Sequence, residues 1–184
     1  GKVDLTGQTV FPDLLRSMSE SMAYRGPDDE GFFCEGPVGL GHRRLSIIDL
    51  SPAGRQPMTN EDGSLHLVFN GEIYDFAETR KELLSRGHTL KSQTDTETLL
   101  HLYEDEGTAC LKHLKGMFGF GLWDARLQRL WLARDRLGKK PLVYYWDGKR
   151  LIFASEIKAL LRDPEVPREI DGQALDLYLT LNYI

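Results

Sequence analysis

Three sets of polar residues in this 184-residue sequence could act together on a small polar ligand. Asn70-Gly71-Glu72 follows an apolar run and offers a side-chain amide, a bare backbone N–H and a carboxylate. Arg44 offers a guanidinium, which binds carboxylates through two parallel hydrogen bonds. Asp95 offers a second carboxylate. Around one pocket, these residues would supply hydrogen-bond donors and charges of both signs.

Each set also has a purely structural explanation. Most Asn-Gly pairs are turns. Asp95 follows Thr94, a predicted helix N-cap with Glu97 three residues later, and an acid in a first helical turn favours the helix dipole. Arg43 and Arg44 alternate along a predicted strand, so one of them faces inward and needs a carboxylate from the protein or from a ligand. The residues alone leave both explanations open.

The elements around these residues follow from hydrophobic patterning. The run 65–69 predicts a buried strand that ends at Asn70, and a helix then extends from Asp75 to about Arg86 before Gly87. Asn70-Gly71-Glu72 is therefore predicted at a strand-to-helix junction. A second helix begins after Thr94 and ends at Gly107.

The remaining segments are mostly paired strands with short turns between them. Because these pairs outnumber any strand–helix–strand alternation, the sequence predicts an α+β fold in which helices cover antiparallel sheets. The predicted strand pairs are 32–33 with 38–41, 117–124 with 129–135, and 142–146 with 151–154.

Composition and charge exclude several classes of function. The formal net charge is −5, and no block of Lys or Arg stands out, so nucleic acid and anionic membranes are not expected partners. No apolar run reaches the length of a membrane span, and the N-terminal residues do not form a signal peptide. We expect a cytoplasmic protein.

The cysteines and histidines predict no metal site. Cys34 and Cys110 lie in no Cys-x-x-Cys spacing, which disfavours both a disulfide framework and a zinc site. The five histidines are scattered, without a His-x-x-x-His pair. We expect them to be surface or capping residues.

Seven motifs in register carry a resemblance that covers nearly the whole chain. Together they are similar to the glutamine-hydrolysing domain of glutamine-dependent asparagine synthetases, a class II amidotransferase domain and N-terminal-nucleophile hydrolase. The motifs are Arg25-Gly26-Pro27-Asp28, the segments 42–47 and 69–74, Thr94-Asp95-Thr96-Glu97, and the segments 116–120, 133–142 and 153–160.

This resemblance implies a fold, a reaction and residue roles. The fold would be a four-layer αββα sandwich of two antiparallel sheets, and the reaction would convert glutamine and water to glutamate and ammonia. The side-chain amide of Asn70 and the backbone N–H of Gly71 would form the oxyanion hole. The other implied glutamine-binding residues are Arg44 for the α-carboxylate, Asp95 and Glu72 for the α-ammonium, and Leu45, Ser46, Ile47 and Ile48 along the pocket wall.

The implied nucleophile does not occur in this sequence. In the family, an N-terminal cysteine followed by Gly-Ile opens the first strand, and its own α-amine can act as general base. This sequence begins Gly1-Lys2-Val3-Asp4 and contains no Cys-Gly-Ile. We therefore expect that the first strand and the nucleophile are missing and that these residues alone do not hydrolyse glutamine. We expect Cys34 and Cys110 to be inert thiols that are buried or partly buried.

The resemblance also predicts domain organisation and partners. Residues 1–161 would form the amidotransferase domain without its first strand, and residues 162–184 a linker and the start of a truncated synthetase domain. That second domain would use ATP and magnesium to amidate aspartate, whereas the present domain needs no cofactor. The expected partners are glutamine, the synthetase domain and, through self-association, a second copy of the chain.

Two alternatives remain open. The domain could deliver ammonia to a different acceptor, such as a sugar or a purine precursor. It could also be a non-catalytic glutamine-binding or interaction domain, that is, a pseudoenzyme, because a fold alone does not determine a function.

Overall fold

The computed structural model describes residues 1–183, which form nine β-strands and five α-helices. The strands are β1 (Lys2–Asp4), β2 (Asp29–Glu35), β3 (Val38–Arg44), β4 (Met58–Thr59), β5 (Leu65–Ile73), β6 (Gly116–Asp124), β7 (Arg129–Arg134), β8 (Val143–Trp146) and β9 (Arg150–Ala154). The helices are α1 (Pro12–Glu20), α2 (Phe76–Ser85), α3 (Asp95–Glu106), α4 (Ile157–Leu160) and α5 (Gly172–Leu181).

Two antiparallel sheets form the centre of the molecule. One has the strand order β2-β3-β1-β9-β8 and the other β4-β5-β6-β7. Helices α1 and α4 pack on the outer face of the first sheet, and α3 packs on the outer face of the second. The predicted α+β, four-layer αββα sandwich is confirmed.

Alternation along each strand assigns its side chains to different apolar layers. In β5, Leu65, Leu67 and Phe69 pack toward α3, whereas Val68 packs between the sheets against Trp123. Each fully buried leucine or phenylalanine contributes about 1.5–3 kcal/mol of hydrophobic stabilisation. One face of β5 is therefore packed against α3 and the other against the first sheet. This determines the direction in which each polar side chain of β5 points.

Small residues of β6 allow the two sheets to approach closely. A Cβ atom at Gly121 would lie 2.5 Å from Cζ of Phe153, which belongs to the opposite sheet. The glycines that alternate with aromatic residues in this strand thus permit close packing of the layers at this position.

The chain does contain a first strand, contrary to the sequence-based expectation. Lys2–Asp4 forms β1 at the centre of its sheet, where Lys2 pairs with Gly39 of β3 and Ile152 of β9. Three residues with a lysine and an aspartate carry no readable alternation. The two flanking strands, which are distant in sequence, make this segment a strand.

The predicted strand-to-helix junction at Asn70 is also wrong, because β5 continues through Ile73. Asn70 pairs with Gly119 and Gly71 with Phe118, and neither residue has the positive φ that an Asn-Gly hairpin turn needs. Glycine is required for another reason. A Cβ atom at Gly71 would lie 2.4 Å from the carbonyl oxygen of Met117 in β6.

The C-terminal segment divides into a packed part and an exposed part. Asp163 and Val166 are buried, and Asp163 accepts a 2.8 Å hydrogen bond from Nζ of Lys2, so the packed body extends beyond the predicted boundary at Leu161. Helix α5 has no buried residue and exposes four leucines and Tyr178. Within residues 1–183, no helix has both the length and the apolarity to cross a membrane.

Candidate active site

The predicted site residues surround one cavity of about 360 Å³ where β3 of one sheet faces β5 of the other. Its size lies within the usual range for small-molecule pockets. Eight of the nine predicted residues line it, and Ser46 does not. The eight are Arg44, Leu45, Ile47, Ile48, Asn70, Gly71, Glu72 and Asp95.

The side chain of Asn70 lies on the inner face of β5. It shares that face with Val68, which packs between the sheets, and therefore points toward the first sheet and the cavity. Its Nδ2 is buried and has no hydrogen-bond partner in residues 1–183. Because a buried amide without a partner costs roughly 1–3 kcal/mol, a ligand that accepts a hydrogen bond from this donor in the cavity would remove that cost.

The backbone N–H of Gly71 is directed away from β6. The N–H groups of Phe69 and Ile73 both point away from β6, since they donate to Oε1 of Gln56 at 2.6 Å and Oδ2 of Asp95 at 2.8 Å. N–H groups two residues apart on a strand point the same way. The Gly71 N–H therefore lies between these two partners, on the edge of β5 that borders the cavity.

Arg44 is a buried cation at the end of β3. Its Nη1 donates to the carbonyl oxygen of Ser51 at 2.8 Å, and its Nη2 donates to that of Asp49. The guanidinium forms no ion pair with a carboxylate in residues 1–183, although the side chain is buried. An inward arginine without a protein carboxylate is suited to an anionic ligand.

Asp95 and Glu72 provide negative charge on the other side of the cavity. Asp95 is buried in the first turn of α3, where burial raises the pKa of its carboxyl group and the nearby charge of Glu72 raises it further. Glu72 is exposed at the cavity wall. A cationic ligand group would relieve the repulsion between the two carboxylates.

The first turn of α3 is held by side-chain hydrogen bonds. Oγ1 of Thr94 accepts from the N–H of Glu97 at 3.2 Å, as an N-cap residue does. The carboxylate of Glu97 accepts from the N–H groups of Lys91 and Ser92, both at 2.7 Å, whereas the N–H of Thr94 donates to Oγ of Ser92 and not to Glu97 as in a capping box. These bonds fix the position of Asp95.

The loop after β3 forms the mouth of the cavity. Leu45, Ile47 and Ile48 line the cavity but are more than 40% exposed, at 55%, 75% and 45%. The N–H of Ser46 donates to Oδ2 of Asp28 at 2.8 Å, which anchors the loop to the segment before β2. These three apolar side chains are available to cover a bound ligand.

Sequence reasoning missed two cavity residues that link the layers. His42 lies two residues before Arg44 and shares its face, and its Nε2–H donates to the carbonyl oxygen of Phe69 at 3.1 Å. Burial lowers the pKa of His42 to about 4, so the ring is neutral at pH 7. Alternation from Arg44 could have identified His42. Gln56, in an irregular loop, gave no such signal.

Two charged residues near the site organise the loop between β7 and β8. Arg134 donates to the carbonyl oxygens of Gly138 and Lys140, at 2.6 and 2.7 Å. Asp135 accepts from four backbone N–H groups, and those hydrogen bonds lower the pKa of its carboxyl group to about 2. Lys140, at the end of this loop, lines the cavity.

Neither cysteine lines the cavity. Cys110 is buried in the core beside α3, where burial raises the pKa of its thiol to about 12. Cys34 is exposed on β2, contrary to the expectation of a buried or partly buried thiol. Residues 1–183 therefore place no thiol near Asn70 and Gly71.

The arrangement combines two kinds of group. Arg44 on one side and Asp95 with Glu72 on the other can bind a ligand that carries a carboxylate and an ammonium. The amide of Asn70 and the N–H of Gly71 are adjacent donors that can stabilise an oxygen as it becomes negatively charged. Acyl transfer from an amino-acid amide needs both.

Comparison with known proteins agrees with this chemistry. Residues 3–184 match the family described as the glutamine amidotransferase domain. The chain is 43% identical over 158 residues to the glutamine-hydrolysing asparagine synthetase 2 of Bacillus subtilis, an alignment that covers 86% of this chain and 21% of that protein. It is 41% identical over 178 residues to asparagine synthetase 3 of the same organism, covering 95% and 29%. The chain thus spans less than a third of either relative.

Other matches carry different names. The chain is 44% identical over 149 residues to the amidase chry2 of Gibberella zeae, covering 80% of this chain and 22% of that protein. A solved glutamine phosphoribosylpyrophosphate amidotransferase from Bacillus subtilis matches with a TM-score of 0.71 at 22% identity, covering 84% of this chain and 41% of that one, and so supports the fold. The chain belongs to the glutamine amidotransferase domain family, in the group that includes glutamine-hydrolysing asparagine synthetases.

Proposed function

We propose that the cavity binds glutamine and is the site at which its side-chain amide is hydrolysed to glutamate and ammonia. The observation that carries this proposal is the buried Nδ2 of Asn70, which has no partner among residues 1–183, beside the outward N–H of Gly71. These donors lie in the same cavity as Arg44 and Asp95, which suit the two charged groups of an amino acid.

The chemistry requires a nucleophile that attacks Cδ of glutamine. In the proposed reaction a cysteine sulfur forms a bond to Cδ, and the carbonyl oxygen becomes an oxyanion that accepts hydrogen bonds from Asn70 and Gly71. The C–N bond then breaks, and the thiol proton passes through the cysteine α-amine to the leaving nitrogen, which departs as ammonia. Water hydrolyses the thioester to glutamate and restores the thiol.

The register of β1 defines where such a cysteine would have to lie. Lys2 pairs with Gly39 and Val3 with Val38, so each step backward along β1 is one step forward along β3. A fourth residue added before Gly1 would face Arg44 at the cavity. By alternation its side chain would share the inner face with Val3, and would point toward β5 and Asn70.

A direct test compares ammonia release by the present chain and by extended chains. The first extended chain adds Cys-Gly-Ile-Ala before Gly1, so that cysteine is the fourth added residue and the N-terminus. We expect turnover from this chain and none from the present one. A Ser-Gly-Ile-Ala extension and an extension one residue shorter, Cys-Gly-Ile, are the controls; the shorter one places the side chain on the wrong face.

Several results would contradict the proposal. Turnover by the 184 residues alone would show that no added cysteine is needed. A folded Cys-Gly-Ile-Ala chain that neither binds nor hydrolyses glutamine would overturn the assignment of the cavity.

Asn70→Ala in the active extended chain should lower kcat by about 10²–10³-fold with a smaller change in KM, because an oxyanion-hole donor acts mainly in the transition state.

A second candidate is a glutamine-binding or interaction domain without catalysis. The positions of Cys34 and Cys110 outside the cavity favour it. Calorimetry with glutamine, combined with ammonia release by the Cys-Gly-Ile-Ala chain, separates the two candidates. The non-catalytic domain would bind glutamine without hydrolysing it, even after the Cys-Gly-Ile-Ala extension.

The destination of the ammonia is a further part of the proposal. We infer transfer to an ATP- and magnesium-dependent synthetase domain that amidates aspartate, because two relatives are named as glutamine-hydrolysing asparagine synthetases. The exposed apolar side chains of α5 could contact such a domain. Glutamine-dependent formation of asparagine by the protein that contains this domain would test this, with other acceptor acids as controls.

A further inference from the structure

A cluster of two histidines and a glutamate lies outside the cavity, where α3 meets the segment after α2. His88 follows α2, while His101 and Glu104 are three residues apart on one face of α3. His101 is only 2% exposed. None of the three residues lines the active-site cavity or has a part in the proposed reaction.

Three ligand atoms of this cluster face one another. Nδ1 of His101 lies 2.7 Å from Oε2 of Glu104 and 3.2 Å from Nδ1 of His88, and the remaining edge, from Nδ1 of His88 to Oε2 of Glu104, is 3.7 Å. In a tetrahedral zinc site with bonds near 2.0–2.1 Å, neighbouring ligand atoms are about 3.3 Å apart. The triangle has the size of one face of such a site.

The three facing atoms have too few N–H protons between them for each acceptor to receive a hydrogen bond. Nε2 of His88 lies 2.9 Å from Oδ1 of Asp105, which places the ring proton of a neutral His88 on Nε2 and leaves its Nδ1 as a bare lone pair. The N–H at Nδ1 of His101 can then donate to Oε2 of Glu104 or to Nδ1 of His88, but it cannot make a well-aligned hydrogen bond to both. A divalent cation would satisfy all three atoms.

The residues behind the cluster are arranged as metal ligands usually require. Asp105 accepts from His88, as in carboxylate–histidine–zinc arrangements, and is itself held by Nη1 of Arg86 at 3.1 Å. Nδ2 of Asn60 donates to Oε1 of Glu104 at 2.7 Å and thereby orients the carboxylate. Two of the three ligands are thus positioned from outside.

We propose that His88, His101 and Glu104 form a binding site for a divalent transition-metal ion, with zinc the best match to two imidazoles and one carboxylate. The ion would connect the end of α2 to α3 and, through Asn60, to the turn before β5. Because Asp95 lies at the start of α3, such a clamp would also stiffen the helix that carries a cavity carboxylate. The sequence predicted no metal site because the third ligand comes from a different element.

The test is metal binding by the chain itself after dialysis against a chelator. Calorimetry with Zn²⁺ should give one site per chain, and Co²⁺ should give the intense visible absorption of a tetrahedral ion with nitrogen and oxygen ligands. Glu104→Gln and His88→Gln should weaken Zn²⁺ binding by more than about 100-fold. Asp105→Asn should weaken it by about 10–100-fold, as loss of a supporting carboxylate does.

His113→Gln is the matched control. His113 is exposed, pairs with Glu106 and lies outside the cluster. This variant should bind Zn²⁺ like the unmodified chain, and zinc should raise the unfolding temperature of both but not that of Glu104→Gln. Circular dichroism in chelator checks the fold of each variant. If a ligand variant does not fold, the loss of Zn²⁺ affinity in Asp105→Asn tests the proposal instead. Absence of stoichiometric binding, or equal losses in Glu104→Gln and His113→Gln, would overturn the proposal.

Discussion

Asn70 and Gly71 are neighbours in sequence but contribute different groups because a strand turns successive residues in opposite directions. Asn70 uses its side chain, which points between the sheets, and Gly71 uses its backbone, which points along the sheet plane. Two donors of different kinds can therefore converge on one oxygen. The strand, rather than a turn, makes this convergence possible.

Arg44 is expected to bind the α-carboxylate of glutamine, and Arg44→Lys tests this. Lysine keeps the charge but cannot hold two loop carbonyls and a carboxylate with one planar fork. The Ser-Gly-Ile-Ala extension should bind glutamine without turnover. In this folded chain we expect the substitution to raise the Kd for glutamine by about 10–100-fold, as loss of a charged hydrogen bond predicts.

Arg55→Lys is the control for this change. Arg55 also donates to a backbone carbonyl, that of Glu30 at 3.0 Å through Nε, but does not line the cavity. Its replacement should leave the Kd for glutamine unchanged. Calorimetry measures both variants, and equal effects would mean that the loss at Arg44 is general destabilisation.

His42 should make stability depend on pH. Its pKa is about 4 in the folded chain, mainly because the ring is buried, and about 6.5 in the unfolded chain. The unfolded state therefore binds more protons between these values. His42 should not lower the free energy of unfolding above pH 6.5. Below that pH, acidification toward pH 4 should lower the free energy of unfolding by up to about 1.4 kcal/mol per pH unit.

Urea unfolding at several pH values measures this dependence. His42→Gln keeps a donor for the carbonyl of Phe69 but does not titrate, so its stability should change less over the same range. The charges of Arg44 and Asp29 near the ring remain in both proteins and cancel in the comparison. Parallel pH profiles for the two proteins would contradict the assignment.

At the scale of elements, the pairing of β5 with β6 decides the shape of the proposed oxyanion site. The two strands pair over nine residues, from Leu65 opposite Asp124 to Ile73 opposite Gly116. The backbone of β6 approaches Gly71 so closely that no side chain fits. Glycine at position 71 therefore allows β6 to pack closely and leaves the backbone N–H accessible from the cavity.

Gly71→Ala should consequently destabilise the fold. The added methyl group would lie 2.4 Å from the carbonyl oxygen of Met117, so β6 must shift. We expect a loss of about 1–3 kcal/mol in the free energy of unfolding. Gly172→Ala is the control, since a Cβ atom there would have no atom of residues 1–183 within 4 Å. Chemical denaturation of both variants gives the comparison, and equal stabilities would show that β6 yields without cost.

At the scale of the whole molecule, two truncations locate the end of the packed body. Ending the chain at Ile170 removes α5, which has no buried residue, and should leave the unfolding free energy nearly unchanged. Ending it at Leu161 removes Asp163 and leaves the ammonium of Lys2 without its buried partner. This second chain should lose at least about 2 kcal/mol. Thermal and urea unfolding measure both, and similar stabilities would place the boundary at Leu161 as first predicted.

Much of the architecture was predictable because it depends on local patterns. The strand pair β8 and β9 was predicted from the apolar runs 142–146 and 151–154, and α3 from Thr94 and Gly107. Local signals failed at β1, which is too short to show alternation, and at Asn70-Gly71, where a turn dipeptide lies inside a strand. In both cases neighbouring strands decided the conformation.

The sequence by itself determined which chemical groups are present, the α+β class and, through its motifs, the family. Only the tertiary structure decided that Asn70, Gly71, Arg44 and Asp95 border one cavity, that both cysteines lie outside it, and that His88 meets His101 and Glu104. The physical reason is that residue type and spacing set local conformation, whereas contacts between distant segments depend on strand register and layer packing. A shift of one residue in β5 would turn Asn70 away from the cavity without changing its composition.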